Sequence, residues 1–288
     1  MVYTTLILSG GGFRGIALLG ALAKLRASHQ LDHIKTIVGI SAGSLVATAL
    51  AMGMDERAVF DQMMNLNISG LRQSSVLNLL NRKRFGLDTG TRLIAFLRGT
   101  FTRYGFSGNI TFAQLHKITG IILRVGASNT DTGELHFFSH ETDPDCEIVH
   151  ALRMSCGIPF IFTMWKYHGH YYVDGALKDN FPIEHFIANT TNEAQTCEPY
   201  MLGLNLKEIL PSTPQPISDF IEYAERIFTI MSLSKDEATI KNIPPFCKII
   251  EIPCERSSLL SITKEEKEKL YRIGEDHVVQ WNAKFGKI

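Results

Sequence analysis

An α/β fold built on a mainly parallel sheet is what the first fifty residues predict, and three observations carry the prediction. Apolar, β-rich runs (Tyr3 to Leu8, Ile34 to Val38) alternate with stretches of helical periodicity (Ile16 to Leu25, Leu45 to Met52). Strands joined by crossover helices run parallel, and a parallel sheet needs cover on both faces. Two glycine-rich turns, residues 9–15 and 39–43, stand at the carboxyl ends of the two strands. Open α/β sheets collect their chemistry at such ends.

The remaining elements come in order. Residues 55–119 are expected to form a helical insertion, a cap over the active end of the sheet. Between Gly70 and Arg103 seven basic residues (Arg72, Arg82, Lys83, Arg84, Arg92, Arg98, Arg103) face a single acid, Asp88. This segment is either a solvated helical face or a patch that attracts an anionic membrane surface. Strands resume at Ile121 to Ala127 and Leu135 to Phe138, split by the turn-like Asn129-Thr130-Asp131-Thr132-Gly133. Glu147 to Met154 reads as a helix, and Trp165 to Tyr167 with Tyr171 to Val173 as a hairpin turning at His168-Gly169-His170. A strand over Met201 to Leu204 leads to a proline-rich break (Pro211, Pro214, Pro216) and a helix from Ile217 to Leu233. On that helix Phe220, Tyr223, Ile227 and Met231 form a stripe expected to face the core. A strand from Lys248 to Ile252 precedes a terminal helix opening with the capping box Thr263-x-x-Glu266. With no repeat and no linker, residues 1–288 read as one domain carrying the 55–119 insertion.

Bulk properties narrow the class. A chain of 288 residues buries a sizeable core without metals or disulfides. Lys+Arg and Asp+Glu both total 29, which excludes a nucleic-acid binder driven by net charge. Five cysteines without a C-x-x-C pair fit reduced thiols, and no residue spacing indicates a metal site. The start Met1-Val2-Tyr3 lacks the features of a signal peptide, and no apolar run is long enough to span a bilayer. The expectation is a soluble, cytoplasmic protein.

The first turn, Ser9-Gly10-Gly11-Gly12-Phe13-Arg14-Gly15, satisfies the dinucleotide pattern G-x-G-x-x-G between a strand and a helix. That pattern also requires an acid at the end of the second strand, to hold a ribose hydroxyl. The second strand instead runs into Gly39-Ile40-Ser41-Ala42-Gly43, which is G-x-S-x-G. No Lys-Ser or Lys-Thr follows Gly15, so a phosphate-binding P-loop is absent as well. In a nucleophile elbow the serine occupies a sharp strand-to-helix turn and flanking glycines avoid steric clash. Ser41 is therefore a candidate nucleophile, or else an ordinary helix-capping serine. None of the ten histidines sits in a motif that marks it as the base. Asp174, in Tyr171-Tyr172-Val173-Asp174-Gly175-Ala176, ends an apolar strand and could take a hydroxyl proton, although Asp-Gly is also a common turn pair.

Taken in order, the glycine loop, G-x-S-x-G and the strand-terminal D-G-A resemble the patatin-like phospholipases. Ala151-Leu152-Arg153-Met154-Ser155-Cys156-Gly157-Ile158-Pro159 is similar to a further segment of that family, as is His168 to Ala176 followed by Asn180-x-Pro182. The resemblance covers about Leu6 to Ala51 and Ala151 to Ile183. It implies a three-layer α/β/α sandwich and a Ser–Asp dyad without histidine or cofactor. Ser41 would be the nucleophile, flanked in the elbow by Gly39, Ile40, Ala42 and Gly43, and Asp174 the base in a motif with Gly175 and Ala176. The loop residues Gly10, Gly11, Gly12, Arg14 and Gly15 would form the oxyanion hole, and Arg14 could equally serve only to stabilise the loop.

The implied activity is lipid acyl hydrolysis of phospholipids, with peripheral membrane contact. A triacylglycerol lipase or an acyltransferase would use the same dyad. From other classes, a dinucleotide-binding oxidoreductase and a catalytically silent lipid-binding module are the alternatives.

Overall fold

The computed structural model describes residues 2–65, 85–188, 200–213, 216–239, 243–256, 258 and 262–285. Strands β1 (Thr5–Leu8), β2 (Thr36–Ile40), β4 (Ile122–Asn129), β9 (Met201–Ile209) and β10 (Cys247–Glu255) form the parallel part of one sheet. Its order is β10-β9-β1-β2-β4-β8-β7, where β7 (Trp165–Tyr167) and β8 (His170–Asp174) are an antiparallel hairpin and β5 (Leu135–Phe138) pairs antiparallel with β4. The hairpin turns at His168 and Gly169, both at positive φ (46° and 90°), the geometry that a two-residue turn needs to match strand twist.

Side chains alternate across the strands and build two cores. Leu6, Leu8, Ile37, Leu123, Val125, Leu202 and Leu204 point to one face. There α1 (Gly15–Ala27), α2 (Ala42–Ala51), α6 (Ile148–Ser155) and α9 (Lys264–Phe285) cover them. Ile7, Val38, Ile40 and Met201 point to the other face. They meet Ile183 of α7 (Ile183–Ala188) and Ala224 and Phe228 of α8 (Phe220–Thr239). Each fully buried aliphatic side chain contributes roughly 1.5–3 kcal/mol of transfer free energy, so the strands are held from both sides. This is the three-layer α/β/α arrangement expected.

α1 is apolar nearly all round because it is buried between the sheet, α3 (Glu56–Asn65) and α9. Gly20 of α1 faces the Tyr271 carbonyl and Gly274 of α9 faces the Ala17 carbonyl, so closely that a Cβ at either would overlap backbone. Gly274→Ala is expected to cost about 1–3 kcal/mol as the helices are forced apart, lowering Tm by roughly 3–10 °C in a thermal melt. α9 opens on the predicted capping box: the Thr263 N–H donates to Glu266 Oε2 (2.7 Å) and the Glu266 N–H to Thr263 Oγ1 (3.1 Å).

Segment 55–119 is not purely helical. It contains α3, α4 (Thr91–Arg103) and α5 (Phe112–Thr119), but also β3 (Gly86–Asp88). β3 pairs with β6 (Phe160–Phe162), a short strand that the sequence does not lead one to expect. A run of three residues is too brief to show a period of two. Of the basic residues singled out, Arg72, Arg82, Lys83 and Arg84 lie outside the described residues, as does Cys197. Arg98 is engaged by Glu147 at 2.7 Å. The α8 stripe also departs from expectation. Phe220, Tyr223, Ile227 and Met231 are exposed, and the core is reached instead by Ala224 and Phe228, one step around the helix.

Candidate active site

β2 and β8 meet head-on against β4. β2 runs parallel to β4 and its last residue, Ile40, is in register with Gly126. β8 runs antiparallel to β4 and its last residue, Asp174, is in register with Ala127. Two strands that end on consecutive residues of one neighbour bring their terminal side chains and turns together. Ser41 Oγ donates a hydrogen bond to Asp174 Oδ2 at 2.8 Å.

Ser41 sits at φ 49°, ψ −123°, a conformation that L residues avoid, between β2 and α2. Its hydroxyl makes no capping bond to α2, so the capping-serine alternative does not describe it. The flanking glycines are needed for close approach. A Cβ on Gly39 would lie 2.5 Å from the Gly43 carbonyl oxygen, and one on Gly43 would lie 2.6 Å from the Leu8 carbonyl oxygen. The second contact wedges the elbow against the end of β1, where the glycine loop begins. Ile40 is fully buried in the core shared with Ile7, Val38 and Phe228 and anchors the strand end, while Ala42 starts α2 beside Gly15 at the start of α1.

Asp174 is fully buried. Burial pushes its carboxyl up from 3.8 to about 7, against the opposing pull of hydrogen bonds from the Ala176 N–H (2.9 Å, to Oδ1) and Ser41 Oγ. Its own N–H donates to the Gly157 carbonyl (3.0 Å), and Ser128 Oγ donates to the Asp174 carbonyl (3.0 Å). Gly175 lies so close to the Gly126 carbonyl oxygen that a Cβ there would sit 2.6 Å from it. Among the described residues, no histidine is hydrogen-bonded to Ser41.

The glycine loop divides its N–H groups by partner. That of Gly10 donates to the Asn180 carbonyl (3.1 Å), that of Arg14 to the Gly11 carbonyl (3.1 Å), and that of Gly15 to the Gly12 carbonyl. Those of Gly11 and Gly12 have no backbone acceptor among the described residues. Arg14 Nε also donates to the Gly11 carbonyl (3.1 Å), and its guanidinium pairs with buried Glu208 at 2.5 Å. Arg256 approaches the other Glu208 oxygen at 3.5 Å. Arg14 thus draws the Gly11 carbonyl to itself. In a trans peptide the Gly12 N–H must then point the opposite way. Gly11, Gly12 and Ser41 share one cleft of about 420 Å³, measured out to its open mouth. Ile158, Ala176, Leu206 and Phe228 give it an apolar lining, and Glu208, Thr229 and Ser232 a polar one.

Three supporting residues were not singled out as site residues from the sequence. Ser155 Oγ accepts from the Ser41 N–H (2.9 Å) and donates to the Gly126 carbonyl (2.6 Å), holding the elbow against β4. Ser44 Oγ donates to the Ser41 carbonyl at 2.5 Å. Asn180 carries the Gly10 N–H, and its side chain is so near that a Cβ on Gly10 would fall 2.5 Å from its Oδ1. Ser155 and Asn180 lie in segments that the family resemblance covers, and that was their one signal. Ser44 had none, because an i−3 contact within a helix start leaves no pattern.

Comparisons with known proteins agree with this architecture. The family model described as patatin-like phospholipase matches residues 6–187. A protein of Invertebrate iridescent virus 6 described as a probable lipid hydrolase is 35% identical over 188 residues, spanning 63% of this chain and 62% of its own. Triacylglycerol lipase ptl2 of Schizosaccharomyces pombe is 27% identical over 194 residues, covering 62% of this chain but 30% of the yeast protein. The chain therefore matches about three fifths of the viral relative and under a third of the yeast one. VipD from Legionella pneumophila superposes on 99% of this chain and 67% of its own, with TM-score 0.60 at 17% identity. ExoU, in its complex with SpcU from Pseudomonas aeruginosa, covers 98% of this chain and 51% of its own, with TM-score 0.54 at 20% identity. With a family model matching well over half of its length, the chain belongs to the patatin-like phospholipase family.

Proposed function

We propose that the protein is a lipid acyl hydrolase that cleaves fatty-acyl esters of phospholipids through Ser41 and Asp174. The observation that carries this reading is the 2.8 Å hydrogen bond from a strained serine to a fully buried carboxylate, beside a cleft that the serine helps line. Asp174 accepts the Ser41 proton as Oγ attacks the ester carbonyl. The N–H groups of Gly11 and Gly12 stabilise the oxyanion, and each such donor is worth roughly 10²–10³ in rate. Collapse expels the alcohol, which takes the proton from Asp174. A water, deprotonated by Asp174, then hydrolyses the acyl-enzyme and restores Ser41. A base titrating near 7 is matched to work at neutral pH, which a carboxylate at its ordinary value is not.

The cleft favours a substrate with one apolar and one polar arm. Ile158, Leu206 and Phe228 suit an acyl chain, whereas Thr229 and Ser232 suit a headgroup better than a further acyl chain. A relative named as a triacylglycerol lipase keeps the neutral-lipid substrate as the second reading. The oxidoreductase alternative has no observation left to favour it.

The direct test is a fluorophosphonate probe followed by product analysis on phosphatidylcholine vesicles. Labelling is expected at Ser41, together with release of free fatty acid. An unlabelled Ser41 in folded protein would leave the silent lipid-binding module as the better reading. Ser155→Ala should leave the Ser41 N–H and the Gly126 carbonyl unpaired, a cost of about 1–3 kcal/mol. The expected result is a fall in kcat of roughly 10–100-fold with KM nearly constant, because the elbow and not the cleft wall is disturbed. An unchanged kcat would show that Ser155 serves only packing.

A further inference from the structure

Local sterics leave the Gly11–Gly12 peptide free to face either way. Glycine stands on both sides of it, so no Cβ opposes a turn of the peptide plane about its flanking bonds. A turned peptide would present the Gly11 carbonyl oxygen where the Gly12 N–H now points, and a carbonyl oxygen repels an oxyanion. What opposes the turn is Arg14, whose N–H and Nε both donate to the Gly11 carbonyl at 3.1 Å. Arg14 is held in turn by residues far along the chain. Its guanidinium pairs with Glu208 Oε2 at 2.5 Å, and Arg256 Nε lies 3.5 Å from Oε1. The Arg14 and Glu208 side chains are only 9% and 4% exposed, so solvent hardly competes for the pair. A guanidinium is planar, so fixing one of its nitrogens on a carboxylate also fixes where its Nε–H points. Glu208 is placed by its strand. β9 continues past its pairing with β1, which ends at Leu8 and Leu204, and runs on beside the glycine loop. The Leu206 N–H donates to Ser9 Oγ (2.8 Å), and Leu206 Cδ1 is so near that a Cβ on Gly11 would fall 2.7 Å from it. Residues i and i+2 of a strand share a side, so Leu206 and Glu208 meet the loop together. The Arg256 N–H donates to the Ile209 carbonyl (3.0 Å), which ties that arginine to the end of β9.

We propose that Glu208 is a positioning residue for the oxyanion hole: by holding the Arg14 guanidinium it keeps the Gly11 carbonyl turned to Arg14 and the Gly12 N–H turned the other way, into the cleft shared with Ser41. This deepens the proposed acyl hydrolysis and rests on it. Glu208 also lines the cleft, yet each of its oxygens faces an arginine, so it does not receive the Ser41 proton, which passes to Asp174. Glu208 and Arg256 both lie beyond residues 6–187, the span that the family model matches. The orientation of the hole is thus set by strands outside that span. Preorganisation explains why a buried ion pair stands here: a donor fixed before the reaction costs no rearrangement when the oxyanion forms.

The test is steady-state kinetics on the soluble ester p-nitrophenyl butyrate, paired with inhibition by an alkyl trifluoromethyl ketone. Ser41 Oγ adds to the ketone carbon, the carbonyl oxygen becomes the oxyanion and the proton passes to Asp174, so affinity for this compound reads the hole directly. Glu208→Gln keeps the volume but offers a single acceptor oxygen, so one of the two arginines loses its partner. In this variant kcat is expected to fall roughly 10–100-fold with KM nearly constant, and the inhibition constant of the ketone to rise by the same factor. A merely structural role would lower Tm and leave the ketone affinity of the folded protein in place. Because Glu208 acts through Arg14, Arg14→Ala/Glu208→Gln should be no slower than Arg14→Ala alone. If Glu208→Gln does not fold, Arg256→Ala loosens Glu208 from the more exposed side chain of the three and should lower kcat and ketone affinity together by roughly 3–10-fold. Wild-type kcat in the folded variant, a fall in kcat without a matching loss of ketone affinity, or Arg14 and Glu208 effects that multiply overturns the proposal. A wild type that neither cleaves the ester nor binds the ketone refutes the hydrolase reading, and the positioning role with it. A wild type active on both beside an undiminished Glu208→Gln refutes the positioning role alone.

Discussion

Fatty-acid release by Ser41→Ala is expected to fall to background, a loss of roughly 10⁴-fold or more, in a protein that still folds. The loss is large because no neighbour can substitute. Cys156 lies against Ser41 and Ser44, but burial, with Asp174 nearby, pushes its thiol up to about 12, so it carries almost no thiolate at neutral pH. Removal of Oγ also takes from the Asp174 carboxyl one of its two hydrogen bonds, which favours the protonated form further. The backbone strain at φ 49° persists in the alanine variant, whereas Ser41→Gly relieves it. The two variants should therefore be equally inactive but unequal in Tm, with glycine the more stable. Residual fatty-acid release above about 1% of wild type in folded Ser41→Ala protein would point to another nucleophile.

The parallel sheet was legible in the sequence because period-2 and period-3.6 segments alternate, and the buried run Leu6-Ile7-Leu8 is apolar throughout. Ser41 was legible because an elbow needs glycine on both sides, at Gly39 and Gly43. Asp174 was far less so. Its meeting with Ser41 depends on β8 running against β4 while β2 runs with it, and strand direction leaves no mark in local composition. The loop residues were named together as one oxyanion site, yet their N–H groups have different fates. Asn180, far away in sequence, takes Gly10, and Arg14 orients the Gly11–Gly12 peptide by binding its carbonyl. The α8 stripe misled for a related reason. Two adjacent apolar stripes on one helix are equivalent by period, and only the tertiary neighbours decide that Ala224 and Phe228 go inward while Tyr223 and Ile227 stay out. β9 reads as ending at Leu204 because Asn205 breaks its apolar run. The strand in fact continues to Ile209, and that extension carries Glu208 to Arg14.

Asp174→Asn separates catalysis from stability and gives the two opposite signs. The amide keeps the geometry: Oδ1 still accepts from the Ala176 N–H, and Nδ2 donates to Ser41 Oγ where the carboxylate accepted from it. What is lost is the proposed base, and kcat is expected to fall by roughly 10³–10⁴-fold with KM nearly unchanged. In the wild type the ionised carboxylate is the active form, so kcat should rise with pH through about 7 and decline below it, and the asparagine variant should lose this limb. Stability runs the other way. The unfolded chain releases the Asp174 proton near 3.8 and the folded chain only near 7, so between these values the folded state holds the extra proton. The favourable contribution of the protonated carboxyl is complete below about 3.8 and is lost as pH rises through about 7, where a buried charge has to be carried. The asparagine side chain carries no such charge at any pH. The Tm excess of this variant over the wild type should be larger at pH 8 than at pH 5, while its activity is lower at both. Equal Tm differences at the two pH values would mean that Asp174 does not titrate in this range, and with it would go the reason for its acting as base near neutrality.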